Sequence, residues 1–285
     1  MPKNVIVQGI TGSHGAFHTK AMKEYGTHIV AGTSPKKAGE HIEGIPVYAS
    51  IQDIKKDFSI DASVIFVPAP HAKAAILEAI DTKIPLIVCI TERIPVHDMI
   101  AIHQKLRHSH SRLVGPNSPG IITPGASKLG IIPAHITLPG SVGVVSRSGT
   151  LTYEVVSELS RLGIGQRQVI GIGGDPIKGT DFIECLAEFE ADSGTDAIVL
   201  IGEIGGVSEV HAAEYIAQSV TKPVFAYIAG HTAPAGVQMG HAGAILSSDD
   251  ESAQAKSYAL ETAGVHVCDS ITDIAPLIKT RYTNK

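Results

Sequence analysis

The sequence has no tryptophan, and aromatic residues make up only 5% of its 285 positions. A core for such a chain must rest on Val, Ile, Leu and Ala, which the 44% hydrophobic content supplies. Cysteine is scarce as well. Cys89, Cys185 and Cys268 stand far apart in apolar runs without CxxC spacing, so no metal site or disulfide framework is expected, only reduced thiols of an intracellular protein. No apolar run nears the roughly 18 residues of a membrane span. Residues 1–4 lead directly into an expected strand, so no leader peptide is expected. Basic blocks are also missing, and the formal net charge is -5. Neither nucleic acid nor a membrane is therefore expected as a partner. Nor does a G-x-x-x-x-G-K-[ST] triphosphate loop occur anywhere.

What is present is a repeated strand–helix rhythm. Val5-Ile6-Val7, the glycine turn Gly9 to Gly15, an amphipathic stretch from Ala16 to Tyr25 and the apolar run His28 to Gly32 form a βαβ unit. Further strands are expected at 62–67 and 86–90, with helices at 70–80 and 96–108. Alternation at these lengths implies a parallel sheet wound on both faces. Residues 1–120 read as a Rossmann-like domain. Residues 121–140, dense in Gly and Pro, read as a connecting segment. The rhythm restarts in 141–285, with strands near 142–145, 169–172, 197–201, 224–228 and 265–268. This second domain reads as a flavodoxin-like parallel sheet. The fold class is α/β throughout.

Several turns at strand ends could carry chemistry. Gly9, Gly12 and Gly15 are not spaced as G-x-G-x-x-G, yet a glycine turn opening a helix presents amides to a phosphate. After the second strand come Thr33-Ser34-Pro35-Lys36-Lys37, hydroxyls and cations where an NAD site has a carboxylate. That favours a ligand with additional phosphate, such as NADP or coenzyme A. In the second domain Ser148, Gly149 and Thr150 open a helix and offer hydroxyl and amide donors to an anion. A nucleophile elbow would need Gly where Ser146 stands, which argues against a serine hydrolase.

Gly171 to Pro176 and Gly202 to Gly206 follow two more strands, at the edge where open α/β sheets bind ligands. The Gly230–Ala244 loop reaches the same edge and holds two imidazoles, His231 and His241, of which His241 sits between Gly240 and Ala242 with no bulky sequence neighbour. Glu203 is placed to meet it. A carboxylate on one ring nitrogen fixes the tautomer and leaves the other nucleophilic.

These stretches resemble the alpha subunits of succinyl-CoA synthetase (succinate–CoA ligase). The resemblance rests on Gln8-Gly9-Ile10-Thr11-Gly12, Val67-Pro68-Ala69-Pro70, Ile90-Thr91-Glu92, Gly115-Pro116-Asn117 and the run Val144 to Glu154. It continues through Gly171 to Pro176, Ile201 to Gly206 and Met239 to Ala244, in family order over nearly the whole chain. It implies that Thr11, Gly12, Ser13 and His14 line the coenzyme A phosphates, that Lys37 meets the far phosphate, and that Ile90, Thr91 and Glu92 form the next loop of that site. His241 would be the phosphorylated residue, held by Glu203. Ser148, Gly149 and Thr150 would stabilise the phosphoryl group, and Tyr153 would lie near the acid at the boundary with a partner.

The implied partner is a beta subunit with an ATP-grasp fold, binding ATP or GTP with Mg, in an αβ or α2β2 assembly. The implied acid is succinate, the implied location the cytoplasm, or the mitochondrial matrix where a leader has been removed. Two departures bear on this. Ser118 replaces the family Cys, losing an ionisable sulfur, and Lys36-Lys37-Ala38 replaces the family Gly-Lys-Gly. A sister ligase for malate or another short dicarboxylate therefore stays open. A CoA-binding regulatory protein lacking the phosphorelay is the alternative of a different class.

Overall fold

A computed structural model describes residues 2–282 apart from Ala235. Met1 and residues 283–285, the outermost positions of the two expected domains, lie outside the described residues, as does Ala235 of the His241 loop. The chain divides into two compact units: residues 1–122 with 126–131 and 177–179, and the remainder.

In the first unit the order is β1 (Val5–Gln8), α1 (Ser13–Glu24), β2 (Ile29–Thr33), β3 (His41–Ile42), β4 (Ile45–Tyr48), α2 (Ile51–Ile54), β5 (Ala62–Ile65), α3 (Ala69–Asp81), β6 (Leu86–Cys89), α4 (Val96–Leu106) and β7 (Arg112–Val114). The sheet runs β3-β4-β2-β1-β5-β6-β7, and every pair is parallel except β3 with β4. Both faces of β1 and β5 are buried, as apolar strands between two helix layers must be. Ile6, Ile65, Ile76 and Ile87 belong to the core so formed, and α3 contributes the small Ala72, Ala75 and Ala79 that let it approach the sheet. The order reverses at β1, between β2 and β5, the switch point of a Rossmann-like sheet.

Residues 121–140 are more regular than their composition suggests. They hold most of β8 (Gly120–Thr123), all of β9 (Ser127–Gly130), a 3-10 turn and the start of β10 (Pro139–Ser146). A Cβ on Gly120 would lie 2.0 Å from the Leu129 carbonyl oxygen, so the glycines there serve close strand approach.

The second unit continues with α5 (Gly149–Arg161), β11 (Gln166–Gly171), α6 (Phe182–Ala191), β12 (Ala197–Glu203), α7 (Ser208–Ser219), β13 (Val224–Ala229), α8 (Ala253–Thr262), β14 (His266–Val267) and α9 (Ile274–Tyr282). Its five parallel strands lie in the order β14-β13-β12-β10-β11, the flavodoxin-like arrangement. Register aligns Ser146 with Gly171 on one side and with Ile201 on the other, and Ile201 with Tyr227. The turns after β10, β11, β12 and β13 therefore emerge along one edge. All three cysteines are buried thiols outside any disulfide. Among the described residues no helix is long and apolar enough to cross a membrane.

Candidate functional site

The first unit carries a cavity of about 880 Å³ at the carboxyl ends of β1 and β2. Gly9 has φ +83°, which aims the chain from strand into helix, and a Cβ on Gly15 would stand 2.2 Å from the Gly9 carbonyl oxygen. The start of α1 has no side-chain cap, so its first amides keep their donors. Thr11, Gly12, Ser13 and His14 all line the cavity, as do Ser34 and Lys36. Thr11 Oγ1 donates to Ser34 Oγ at 2.9 Å, joining the turns after β1 and β2. Val67, Pro68 and Ala74 give an apolar wall. An uncapped helix start, hydroxyls, one cation and an apolar wall suit a phosphorylated adenosine-type ligand such as coenzyme A.

Other expected members of this site stand outside its walls. Lys37 is exposed and lies 4.0 Å from Glu40, while its neighbour Lys36 lines the cavity. Ile90 and Thr91 are half-buried and Glu92 is exposed. Thr91 Oγ1 donates to the carbonyl of Val67, one layer behind the wall, at 2.6 Å. Ser118 is buried, and its Oγ accepts from the Gly120 amide at 2.8 Å. The hydroxyl is thereby part of the turn's own hydrogen bonding.

In the second unit His241 Nδ1 and Glu203 Oε2 are 2.8 Å apart. An ionised carboxylate only accepts, so Nδ1 carries the hydrogen, and in the neutral ring Nε2 keeps its lone pair. The ring is half-buried rather than open. Its shield comes from remote glycines: a Cβ on Gly174 would stand 2.4 Å from His241 Cγ. The Gly243 amide donates to the Gly174 carbonyl at 3.0 Å, and a Cβ on Gly205 would meet the Gly243 oxygen at 2.0 Å. The loop is thus seated between the turns after β11 and β12. The Glu203 hydrogen bond holds the imidazole above its ordinary value; burial opposes this, Arg147 opposes it more weakly, and the Glu203 and Asp175 charges reinforce it.

The helix start at α5 follows β10 directly. Ser148 Oγ caps the Leu151 amide at 3.3 Å, and the Ser148 amide is taken by Ser146 Oγ at 3.1 Å. Gly149 and Thr150, the first two helical residues, have no intrahelical acceptor for their amides. Tyr153, one turn on, is half-buried, and burial raises its phenol.

Residues assigned no role from the sequence surround Glu203. Arg147 approaches Glu203 Oε1 with Nε at 3.4 Å, an ion contact without hydrogen-bond alignment. Glu209 and Lys256 are fully buried beside it. Gly174 belongs to a turn already conspicuous in sequence, but the need for its missing Cβ arises only from His241.

Two family profiles match the chain, one described as CoA binding domain over residues 1–93 and one as CoA-ligase over residues 145–266. The alpha subunit of ADP-forming succinate–CoA ligase from Aquifex aeolicus is 51% identical over 276 residues, covering 96% of this chain and 90% of that protein. Alpha subunit 2 of the same ligase from Archaeoglobus fulgidus is 52% identical over 274 residues, covering 96% and 95%. Among solved structures, the ATP citrate lyase of Methanosaeta concilii in complex with citryl-CoA has a TM-score of 0.87 at 26% identity. That match covers 98% of this chain but 50% of the lyase, so the chain spans half the length of that neighbour.

Proposed function

The chain belongs to the family of succinate–CoA ligase alpha subunits, and from that premise we propose that it forms an acyl-CoA from succinate, coenzyme A and a nucleoside triphosphate through a phosphohistidine. A thiol does not condense with a carboxylate directly, because hydroxide is a poor leaving group. Splitting the reaction solves this. His241 Nε2 takes a phosphoryl group, releasing the nucleoside diphosphate. The acid's carboxylate oxygen then takes it from Nε2, restoring the imidazole and giving an acyl phosphate. The thiol sulfur attacks the acyl carbon, inorganic phosphate leaves, and the thiol proton goes to solvent or phosphate.

Each named side chain has a part in this reading. Glu203 accepts from Nδ1 and supports positive charge on the ring as the Nε2–phosphorus bond forms. The free amides of Gly149 and Thr150, at the positive end of α5, face charge on the phosphoryl oxygens. The first-unit cavity takes coenzyme A, with its phosphates at the start of α1 and near Lys36. Tyr153 borders the acid. The nucleotide, ATP or GTP with Mg, is supplied by a beta subunit of ATP-grasp fold in an αβ or α2β2 assembly, in the cytoplasm.

The observation that carries the reading is the 2.8 Å contact between His241 Nδ1 and Glu203. The test is labelling with γ-phosphate-labelled nucleotide in the presence of the beta subunit. We expect acid-labile, base-stable label that vanishes in His241→Asn; label persisting in that variant refutes the phosphohistidine. A coupled assay over succinate, malate and glutarate fixes the acid, and a preference for malate moves the assignment to a sister ligase.

A further inference from the structure

Four charged side chains lie buried behind the imidazole: Arg147, Glu203, Glu209 and Lys256. Burying ions is a poor route to stability, since desolvation costs several kcal/mol per ion and well-packed apolar replacements often do as well. Two of them, Glu209 and Lys256, are wholly inaccessible and touch no proposed ligand. What they do touch is the backbone of Glu203.

Glu203 is gripped from both sides. Its amide donates to Glu209 Oε1 at 3.2 Å. Its carbonyl accepts from Lys256 Nζ at 2.7 Å and from Arg147 Nη1 at 3.3 Å. The same two cations converge on the Gly205 carbonyl, each at 2.9 Å, and so fix the turn against which the His241 loop rests. Glu209 ties the cations together, accepting from Arg147 at 2.8 Å through Oε1 and from Lys256 through Oε2. Burial pushes the Glu209 carboxyl up, but the two cations outweigh it and hold the group below its ordinary range.

We propose that Arg147, Glu209 and Lys256 are positioning residues for His241, acting through Glu203. They fix where its carboxylate meets Nδ1 and set the charge that faces the ring. The proposal rests on the reading that His241 carries the phosphoryl group. Two cations here balance two carboxylates in formal charge, so the upward pull of Glu203 on the ring is partly offset by Arg147. The charged groups acting directly on it are Glu203, Arg147 and Asp175; Glu209 and Lys256 stand behind the first two. Removing a cation leaves excess negative charge, which stabilises imidazolium and depletes the nucleophile. Removing the Glu209 charge does the reverse.

The two perturbations therefore have opposite signs, which a purely structural role would not produce. Imidazole nitrogen NMR of the full chain reads the His241 titration in wild type, Lys256→Met, Glu209→Gln and Lys256→Arg. We expect Lys256→Met to titrate roughly one pH unit higher, Glu209→Gln roughly one lower, about tenfold in nucleophile fraction on the acidic limb, and Lys256→Arg near wild type. Labelling rates against pH in the complex with the beta subunit should move in the same directions. Shifts of equal sign, or no shift, overturn the proposal. Should Lys256→Met not fold, the near-isosteric Glu209→Gln carries the test: a downward shift supports the proposal and an unmoved titration refutes it. Wild type that titrates normally but takes no label at His241 would instead defeat the phosphohistidine reading.

Discussion

Alanine at Gly174 perturbs the His241 ring without removing any polar group. The backbone there lacks a positive φ, so alanine is conformationally acceptable and the sheet should fold. Its Cβ, however, would stand 2.4 Å from His241 Cγ and 2.5 Å from Nδ1. Carbon contacts settle at about 3.5 Å or more, so the ring must retreat by about 1 Å. The contact with Glu203, now 2.8 Å, then lengthens towards about 3.8 Å and ceases to be a hydrogen bond. Misplacing a reacting group by about 1 Å can cost about 10²-fold, or about 2.7 kcal/mol of barrier. The assay is the initial rate of His241 labelling in the complex with the beta subunit, alongside a thermal melt. We expect labelling about 10²-fold slower with the melting temperature within a few degrees of wild type. Wild-type labelling by Gly174→Ala would refute the claim that this glycine seats the ring.

Two further outcomes follow from the first unit. Gly15→Ala forces a Cβ to within 2.2 Å of the Gly9 oxygen. The turn must open, and calorimetric titration should give coenzyme A binding at least about tenfold weaker, the cost of displacing amides from a phosphate; unchanged affinity would place the phosphates elsewhere. Lys128 is 5% exposed and has no carboxylate within ion-pair distance among the described residues, and burial lowers its ammonium below the ordinary 10.5. The fold therefore disfavours its charged form at neutral pH, and wild-type stability recovers as pH rises towards 10.5. Lys128→Met should melt higher at pH 7, with the advantage shrinking at alkaline pH; a lower melting temperature would mean the ammonium is stabilising.

The βαβ units were legible because buried parallel strands leave long apolar runs, and β1, β5, β6, β10, β12 and β13 all fall on such runs. Of the edge strands, β14 falls on the expected run 265–268, but β3 and β7 were not legible. β3 has two residues and β7 three, too few for any periodicity to register. β8 and β9 were hidden for a different reason: glycines read as a loose connection are required where Gly120 and Gly130 face each other across the pair. At the site, His241 and Glu203 were legible because both follow apolar strands that topology brings to one edge. Glu209 and Lys256 were not, since a charged residue on an amphipathic helix ordinarily faces water. Their burial follows only from the third dimension. Lys36 and Lys37 show the finer limit, one residue deciding which cation lines the cavity.

Every residue lining the first-unit cavity falls between Gln8 and Glu78, whereas the groups around His241 are drawn from Arg147 to Lys256. The first recognition task is thus encoded in one uninterrupted stretch of the gene, and the second in scattered stretches that must be kept mutually compatible. Within the limits that ligand binding sets, substitutions in the cavity can be made without disturbing the charge balance behind the imidazole. The parts around His241 have no such freedom: a change at one of four buried ions is felt by the other three. Changes among these four ions should therefore be correlated.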